Sequence, residues 1–551
     1  MYARHRRESL LAVILIHIVA AAEAQALNIT AGNAVDLGSS WAEITTAAVG
    51  PGENRFCRDG RLFFADGSGV LATDLDGQAV VWPNPQRSPN PRTFGYRETF
   101  PPAVIADNHL VKLKDGSLVH TVEAITWNDN VSPKPAWWDQ TVEFPLKNEA
   151  HPGGRAIIYV RRSDDCGATW TRITDIDAAT LTVPSSSGVP TKGLCGPPRL
   201  IQNPDKKSEG GGWDGHYLYA DPYNGNLFLS TPCVFGTRVN REHFLVLLLM
   251  SSDRGGSWKV IGRLDTVNDW ADAWRMPISS LPSGHVAFGY LNWQLNQLKV
   301  AILAPPYPLI DLTAKAAVLA TFSPGELGPG AKVDTHVPGY PTLARNPGKG
   351  FLVTTPEWKP AGSGTKQAHR FFNVPITLPL PGMKKEFPEI EAPGLADMIH
   401  GTLIDGTPST DLHAFYWVER SPVATTVEGQ SQDALRVKFQ VFQGNTAILK
   451  QPGVLTIADG KPYAYRADSF IGDYMGGASY AGKDGSQHFV AAWSEQGVLR
   501  FNTISLTPQI LTVKVPVDLD VQIVPQTVPM QKLVKHAPLQ VESEPARKPR
   551  P

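Results

Sequence analysis

Short apolar runs, broken at close intervals by turn residues, make up most of the chain. Ala156–Val160 and Phe244–Met250 are typical of them. Runs of this length bounded by Gly, Pro, Asn, Asp or Ser predict strands. A longer unit repeats above them. A Pro or Gly cluster opens an apolar stretch, which reaches a turn of the D-G or N-G kind and then resumes as a second strand. Six such starts are visible. They are Phe100–Val104 with Asp115-Gly116, Gly196–Leu200 with Asn224-Gly225, and Trp274–Pro277 with Ser283-Gly284. Gly339–Thr342 with Gly348–Gly350, Met398–Gly401, and Gly472–Gly477 with Asp484-Gly485 complete the series.

Each interval has room for about four short strands, the content of one propeller blade. The six starts therefore predict an all-β, six-bladed β-propeller over residues 95–510. Residues 25–94 form an N-terminal segment expected to close that ring. Arg61–Ala65 and Gly69–Thr73, around Asp66-Gly67, are its strand candidates, and pairing with the last blade is favoured over a seventh blade or a small appendage. After Leu506 the pattern fades, and 511–551 reads as a largely disordered extension too polar and Pro-bearing to fold alone.

Two segments share a further pattern, S-x-D-x-G-x-[ST]-W. One is Ser163 to Trp170, the other Ser251 to Trp258. Each follows a strand and leads into another. Asp accepts hydrogen bonds from turn amides, Gly takes positive φ, the hydroxyl residue adds a local partner, and Trp fills the space beneath. The pattern resembles the Asp-box, or BNR repeat, of the sialidase (neuraminidase) superfamily. That resemblance implies a sialidase-like propeller, in which the boxes are folding elements on the outer rim. Asp165 and Asp253 are accordingly read as structural rather than catalytic.

The N-terminus reads as an export signal over residues 1–24. Arg4 to Arg7 is basic, Leu10–Ala22 is apolar but short for a membrane span, and Ala22-Glu23-Ala24 offers a cleavage site. A secreted or periplasmic protein without a membrane span after cleavage is expected. Cys57, Cys166, Cys195 and Cys233 fit disulfides in an oxidising compartment, in a pairing that sequence leaves open. Their spacing gives no metal motif, and no cofactor fingerprint is present. Net charge of −1 supplies no global reason to expect nucleic acid as partner.

The resemblance implies a site at the starts of the innermost strands, with a carbohydrate or glycoconjugate as substrate. A sialidase of this kind uses a tyrosine nucleophile assisted by a glutamate, an aspartate as acid/base, and arginines that grip the substrate carboxylate. Tyr474, opening the last blade, matches the nucleophile, and Glu357 is taken among the available glutamates. Asp129 and Asp139 lie in the long first loop, with Trp137 and Trp138 as sugar-stacking faces. Arg97, Arg275 and Arg420 are the carboxylate candidates. Trp274-Arg275-Met276-Pro277 is similar to the family's aromatic-Arg-Ile-Pro signature. Arg199 and Arg345 also lie near strand ends, where a surface ion pair is the ordinary role. His216 and His413 read as packing residues. The function expected is a glycoside hydrolase of the exo-α-sialidase type. The alternatives are a binding propeller without catalysis, or a propeller polysaccharide lyase using Tyr and His.

Overall fold

In the strand His243–Ser251, Val246, Leu248 and Met250 pack to one side, while Leu247 and Leu249 pack to the other. Successive strand residues point to opposite faces. A strand covered on both faces must therefore be apolar without interruption, which is the origin of the runs seen in the sequence. Every sheet of this kind needs another sheet on each side.

The computed structural model describes residues 27–508 except 40–43, 67–68, 81–95, 98–102, 127–154, 178–180, 184–190, 193–209, 214, 237–242, 266–270, 273–275, 293–296, 309, 312–315, 322–340, 362–363, 378–389, 391–397, 428–429, 456–462, 465–474 and 496–497. Among these residues all regular structure is β, and seven sheets of three or more strands follow one another. Blade one is Thr45–Val49, Arg61–Asp66, Gly69–Thr73 and Tyr96–Arg97. Blade two is Ala103–Lys112, Leu118–Thr126, Arg155–Ser163 and Thr171–Asp177. Blade three opens with Gly210–Trp213 and Tyr217–Ala220, which both pair with Leu227–Gly236, and continues through His243–Ser251 and Lys259–Asp265. Blade four opens with Ala271–Asp272 and Ile278–Ser280, followed by Val286–Asn292, Gln297–Leu303 and Ala317–Thr321. Blade five is Thr342–Asn346, Gly350–Ala361 and Gly364–Val374. Blade six is built on Met398–Asp405, Leu412–Val427 and Gln430–Gln443, and blade seven on Gly476–Ala481, Gln487–Glu495 and Val498–Pro508.

The first strands of consecutive blades touch one another around the whole set, and that of blade seven touches that of blade one. The sheets thus form a ring, a β-propeller. The chain closes it by laying Leu27–Ala31 and Val35–Ser39 antiparallel on Val498–Pro508. The count of six blades expected from the sequence is corrected to seven. Arg61–Asp66 and Gly69–Thr73 are the middle strands of blade one and do not pair with the last blade. These two strands make the seventh blade that the sequence offered as the alternative to closure, and it was left out of the count because Thr45–Val49 carries no Pro or Gly cluster ahead of it. All five of its residues are buried.

Seven apolar clusters sit between the blades, one for each pair of neighbours. Between blades seven and one, for example, Phe64 lies 4.9 Å from Phe501, ring centre to ring centre. Burial of each large side chain in such a seam contributes about 1.5–3 kcal/mol.

The two S-x-D-x-G-x-[ST]-W turns join the third and fourth strands of blades two and three with one hydrogen-bond pattern. Gly167 N donates to Ser163 Oγ at 2.7 Å, and Gly255 N to Ser251 Oγ at 2.8 Å. Asp165 Oδ1 accepts from Thr169 N and Asp253 Oδ1 from Ser257 N, both at 2.8 Å. The Thr169 and Ser257 hydroxyls donate to the other carboxylate oxygen at 2.6 and 2.7 Å. Of the cysteine pairings left open by the sequence, Cys57–Cys166 is formed.

Candidate functional site

The ring surrounds an axial cavity of about 440 Å³ whose wall includes residues of all seven blades. Thr46, His109, Tyr219, Ile278, Arg345, Asp405 and Gly477 each represent one of them. An inner strand at the axis turns its two faces to the two neighbouring blades and its edge to the cavity. Polar side chains that land there must find partners across blade boundaries.

They do so in a knot joining blades three to six. Asp405, last in its strand, accepts the backbone N–H of Arg345 at 2.7 Å and the Arg345 guanidinium at 3.2 Å. Its Oδ2 also takes the Ser279 hydroxyl at 3.2 Å. A second guanidinium nitrogen donates to Gly406 O. Tyr219 Oη lies 3.2 Å from Ser280 Oγ and accepts Ser280 N at 3.2 Å. Arg345 is 3% exposed. Burial works against its charge, but Asp405 and the two tyrosines Tyr219 and Tyr223 outweigh it and hold the guanidinium above its usual pKa. Asp405 lies above the ordinary carboxylate range, since burial there outweighs Arg345 and the hydrogen bonds. Burial also drives the Tyr219 hydroxyl up to about 12, with Asp405 adding to it. His413, on the second strand of blade six, is pushed down to about 3 by burial and by Arg345.

A second polar group joins blades two and three. Glu123 and His216 are both fully buried, with Nδ1 3.6 Å from Oε2. His216 Nε2 lies 2.8 Å from Thr121 Oγ1, and the Thr121 hydroxyl also reaches His109 O at 3.3 Å. His109 packs against Tyr217 at 4.5 Å. Asp107 Oδ2 accepts Gly215 N at 2.8 Å, which ties blade two to the segment just ahead of Tyr217–Ala220. These contacts tie the inner strands of blades two and three to one another. Among the described residues no set of three His, Cys, Asp or Glu side chains is arranged to hold a metal, and no helix is long and apolar enough to cross a membrane.

Of the residues selected from the sequence, Tyr474, Asp129, Asp139, Arg275, Trp137 and Trp138 lie outside the described residues. Arg97, Glu357 and Arg420 lie on described strands, opposite Gly69, Ala368 and Leu435 respectively, though their side chains are outside the description. Arg345, read as a surface ion pair, is instead a buried one. Asp405 and Glu123 were missed. For Glu123 a signal exists, since a carboxylate inside the apolar strand Leu118–Thr126 has to be buried against a partner.

No protein-family profile and no curated protein matches the chain. Solved structures resemble it. An α-L-arabinofuranosidase of glycoside hydrolase family 93 from Fusarium graminearum, in complex with arabinobiose, shares 14% identity, covering 73% of this chain and 93% of that one, with TM-score 0.36. A mutant NanB sialidase from Streptococcus pneumoniae shares 9%, covering 87% and 98%, with TM-score 0.36. A leech intramolecular trans-sialidase shares 10%, covering 80% and 81%, with TM-score 0.35. At these values the likeness concerns the course of the chain and not its chemistry.

Proposed function

We propose that this chain is an exported carbohydrate-active propeller, a glycoside hydrolase that removes terminal sugars from glycoconjugates, of the exo-α-sialidase kind. The observation that supports this reading is the position of the candidate residues in strand order. In an antiparallel blade the start of the first strand, the end of the second and the end of the fourth share one end of the sheet. Tyr474 precedes Gly476–Ala481, and Arg275 precedes Ile278–Ser280. Asp129, Trp137, Trp138 and Asp139 follow the second strand of blade two, which ends at Thr126. Glu357 and Arg420 fall in the later halves of second strands, and Arg97 ends the fourth strand of blade one. In strand order the three candidates on described strands, Arg97, Glu357 and Arg420, belong to one end, the other six precede or follow strand termini of that end in sequence, and the two box turns belong to the other.

In this reading Tyr474 is the nucleophile, assisted by Glu357, and Asp129 or Asp139 is the acid/base. Arg97, Arg275 and Arg420 grip the sugar carboxylate, and Trp137 and Trp138 stack on its rings. The test is hydrolysis of fluorogenic glycosides of sialic acid and other terminal sugars by the purified chain, beside Tyr474→Phe. Release of the fluorophore that disappears in the variant supports the assignment. Release that survives Tyr474→Phe removes the tyrosine from the mechanism. No release from any glycoside across a broad pH range overturns the hydrolase reading.

One observation favours a second reading, a propeller that binds sugars without cleaving them. The stretch Thr99–Ala103, leading into blade two, where the resemblance to sialidases places an arginine, contains none. A glycan-array screen of the same chain addresses it.

A further inference from the structure

The fourth residue of the box is Cys166 in blade two and Arg254 in blade three, and neither is a glycine. Both are held at positive φ, 59° and 62°. This conformation is uncommon for residues with a Cβ, and in both turns it comes with a side chain that leaves its own blade. Cys166 is bonded to Cys57, which lies between the first two strands of blade one. Arg254 reaches two turns of blade two. Its Nη2 lies 2.8 Å from Asp115 Oδ2, 2.7 Å from Asp164 Oδ1 and 2.8 Å from Ser117 Oγ. In both cases the partner belongs to the blade that comes before.

We propose that the fourth box position is an inter-blade tie in this protein, covalent between blades one and two and ionic between blades two and three. The backbone beside Arg254 supports direct contact between blades at this point. A Cβ on Gly255 would come within 2.9 Å of Ile173 Cδ1 and 3.1 Å of Val160 Cγ1, both in blade two. The covalent tie reaches further. Cys57 belongs to the Gly50–Gly60 loop, in which Asn54 Nδ2 donates to Gly116 O of blade two at 3.0 Å and Glu53 pairs with Lys112 at 2.6 Å. Glu53 and Lys112 both belong to the wall of the axial cavity. Arg61 Nη1 donates to Cys166 O at 3.3 Å, so the tie is secured from both sides. Cys57 and Cys166 are 5% and 0% exposed and lie within the apolar seam. Protection of this kind suits a permanent tie that positions one side of the cavity, rather than a bond in exchange with solvent thiols.

Hydrogen exchange of the full chain tests both ties in three forms: wild type, Cys57→Ser/Cys166→Ser, and Arg254→Met. Removing the disulfide is expected to speed exchange about a hundredfold in the Gly50–Gly60 loop and in the neighbouring 113–117 turn of blade two, with blades four to six unchanged. Arg254→Met is expected to speed exchange about fivefold in the 113–117 and 163–169 turns of blade two. High salt should reproduce that effect in the wild type, because the partners are partly exposed. If Arg254→Met alters only its own turn, or speeds all seven blades equally, the ionic tie is refuted. The same two outcomes refute the covalent tie in the serine variant. The arginine variant decides the ionic case even if the serine variant does not fold, and loss of folding itself contradicts the local release expected of the covalent tie.

Discussion

Arg345 and Asp405 meet twice: the backbone N–H of Arg345 donates to one oxygen of Asp405 at 2.7 Å, and its guanidinium to the other at 3.2 Å. One carboxylate therefore fixes both the strand and the side chain of the neighbouring blade. Removing it leaves a buried guanidinium without its counter-charge. Asp405→Ala is expected to cost about 3–5 kcal/mol, whereas Arg345→Met/Asp405→Leu, which removes both charges, costs less. Urea unfolding of the three chains checks this; equal losses would show that the pair adds nothing through its charges.

Two buried histidines set a pH dependence. Burial pushes His120 down to about 3, and burial with Arg345 does the same to His413, from an ordinary 6.5. Between those values the unfolded chain takes up protons that the folded ring refuses. Stability therefore falls as pH falls through this window, by about 1.4 kcal/mol per pH unit for each histidine. Above pH 6.5 the two rings contribute no slope. Denaturation midpoints at a series of pH values, with and without His120→Gln, should show the slope reduced in the variant. An unchanged slope would place the titration elsewhere.

The box carboxylates are turn anchors. Asp253 is raised by burial but lowered further by hydrogen bonds from Ser257 and Ser251, so its carboxyl lies below the usual range. Asp253→Ala is expected to cost about 1–2 kcal/mol of stability and to leave turnover of any glycoside unchanged. A variant that folds normally but loses turnover would make this aspartate part of the chemistry.

Two glycines should respond very differently to a methyl group. At Gly350, with φ 119°, an added Cβ would collide with Val374 O, inside the ladder of blade five. At Gly485, with φ 80°, it meets nothing within 4 Å. Gly350→Ala is expected to cost more than about 3 kcal/mol, from a clash no rotamer relieves. Gly485→Ala should cost about 1 kcal/mol from its backbone angle alone. Thermal midpoints compare them, and similar losses would mean that the blade five ladder yields to the added atom.

What the sequence determined by itself is what local forces decide. The box turns were legible because Ser163, Asp165, Gly167 and Thr169 bond one another across two to four positions. Strand identity was legible because burial on both faces demands unbroken apolar runs such as Phe244–Met250. Blade one was legible only in its middle strands, Arg61–Asp66 and Gly69–Thr73, since Thr45–Val49 has no punctuation before it and owes its place to neighbours far along the chain. The tertiary structure alone decided the long-range pairs. Asp405 lies 60 positions from Arg345, and Cys166 lies 109 from Cys57. Nothing near Arg345 in the sequence distinguishes a buried guanidinium from a surface one. Its burial follows from ring closure, which brings the inner strands of all seven blades together around one axis. There a buried charge takes its partner from the next blade.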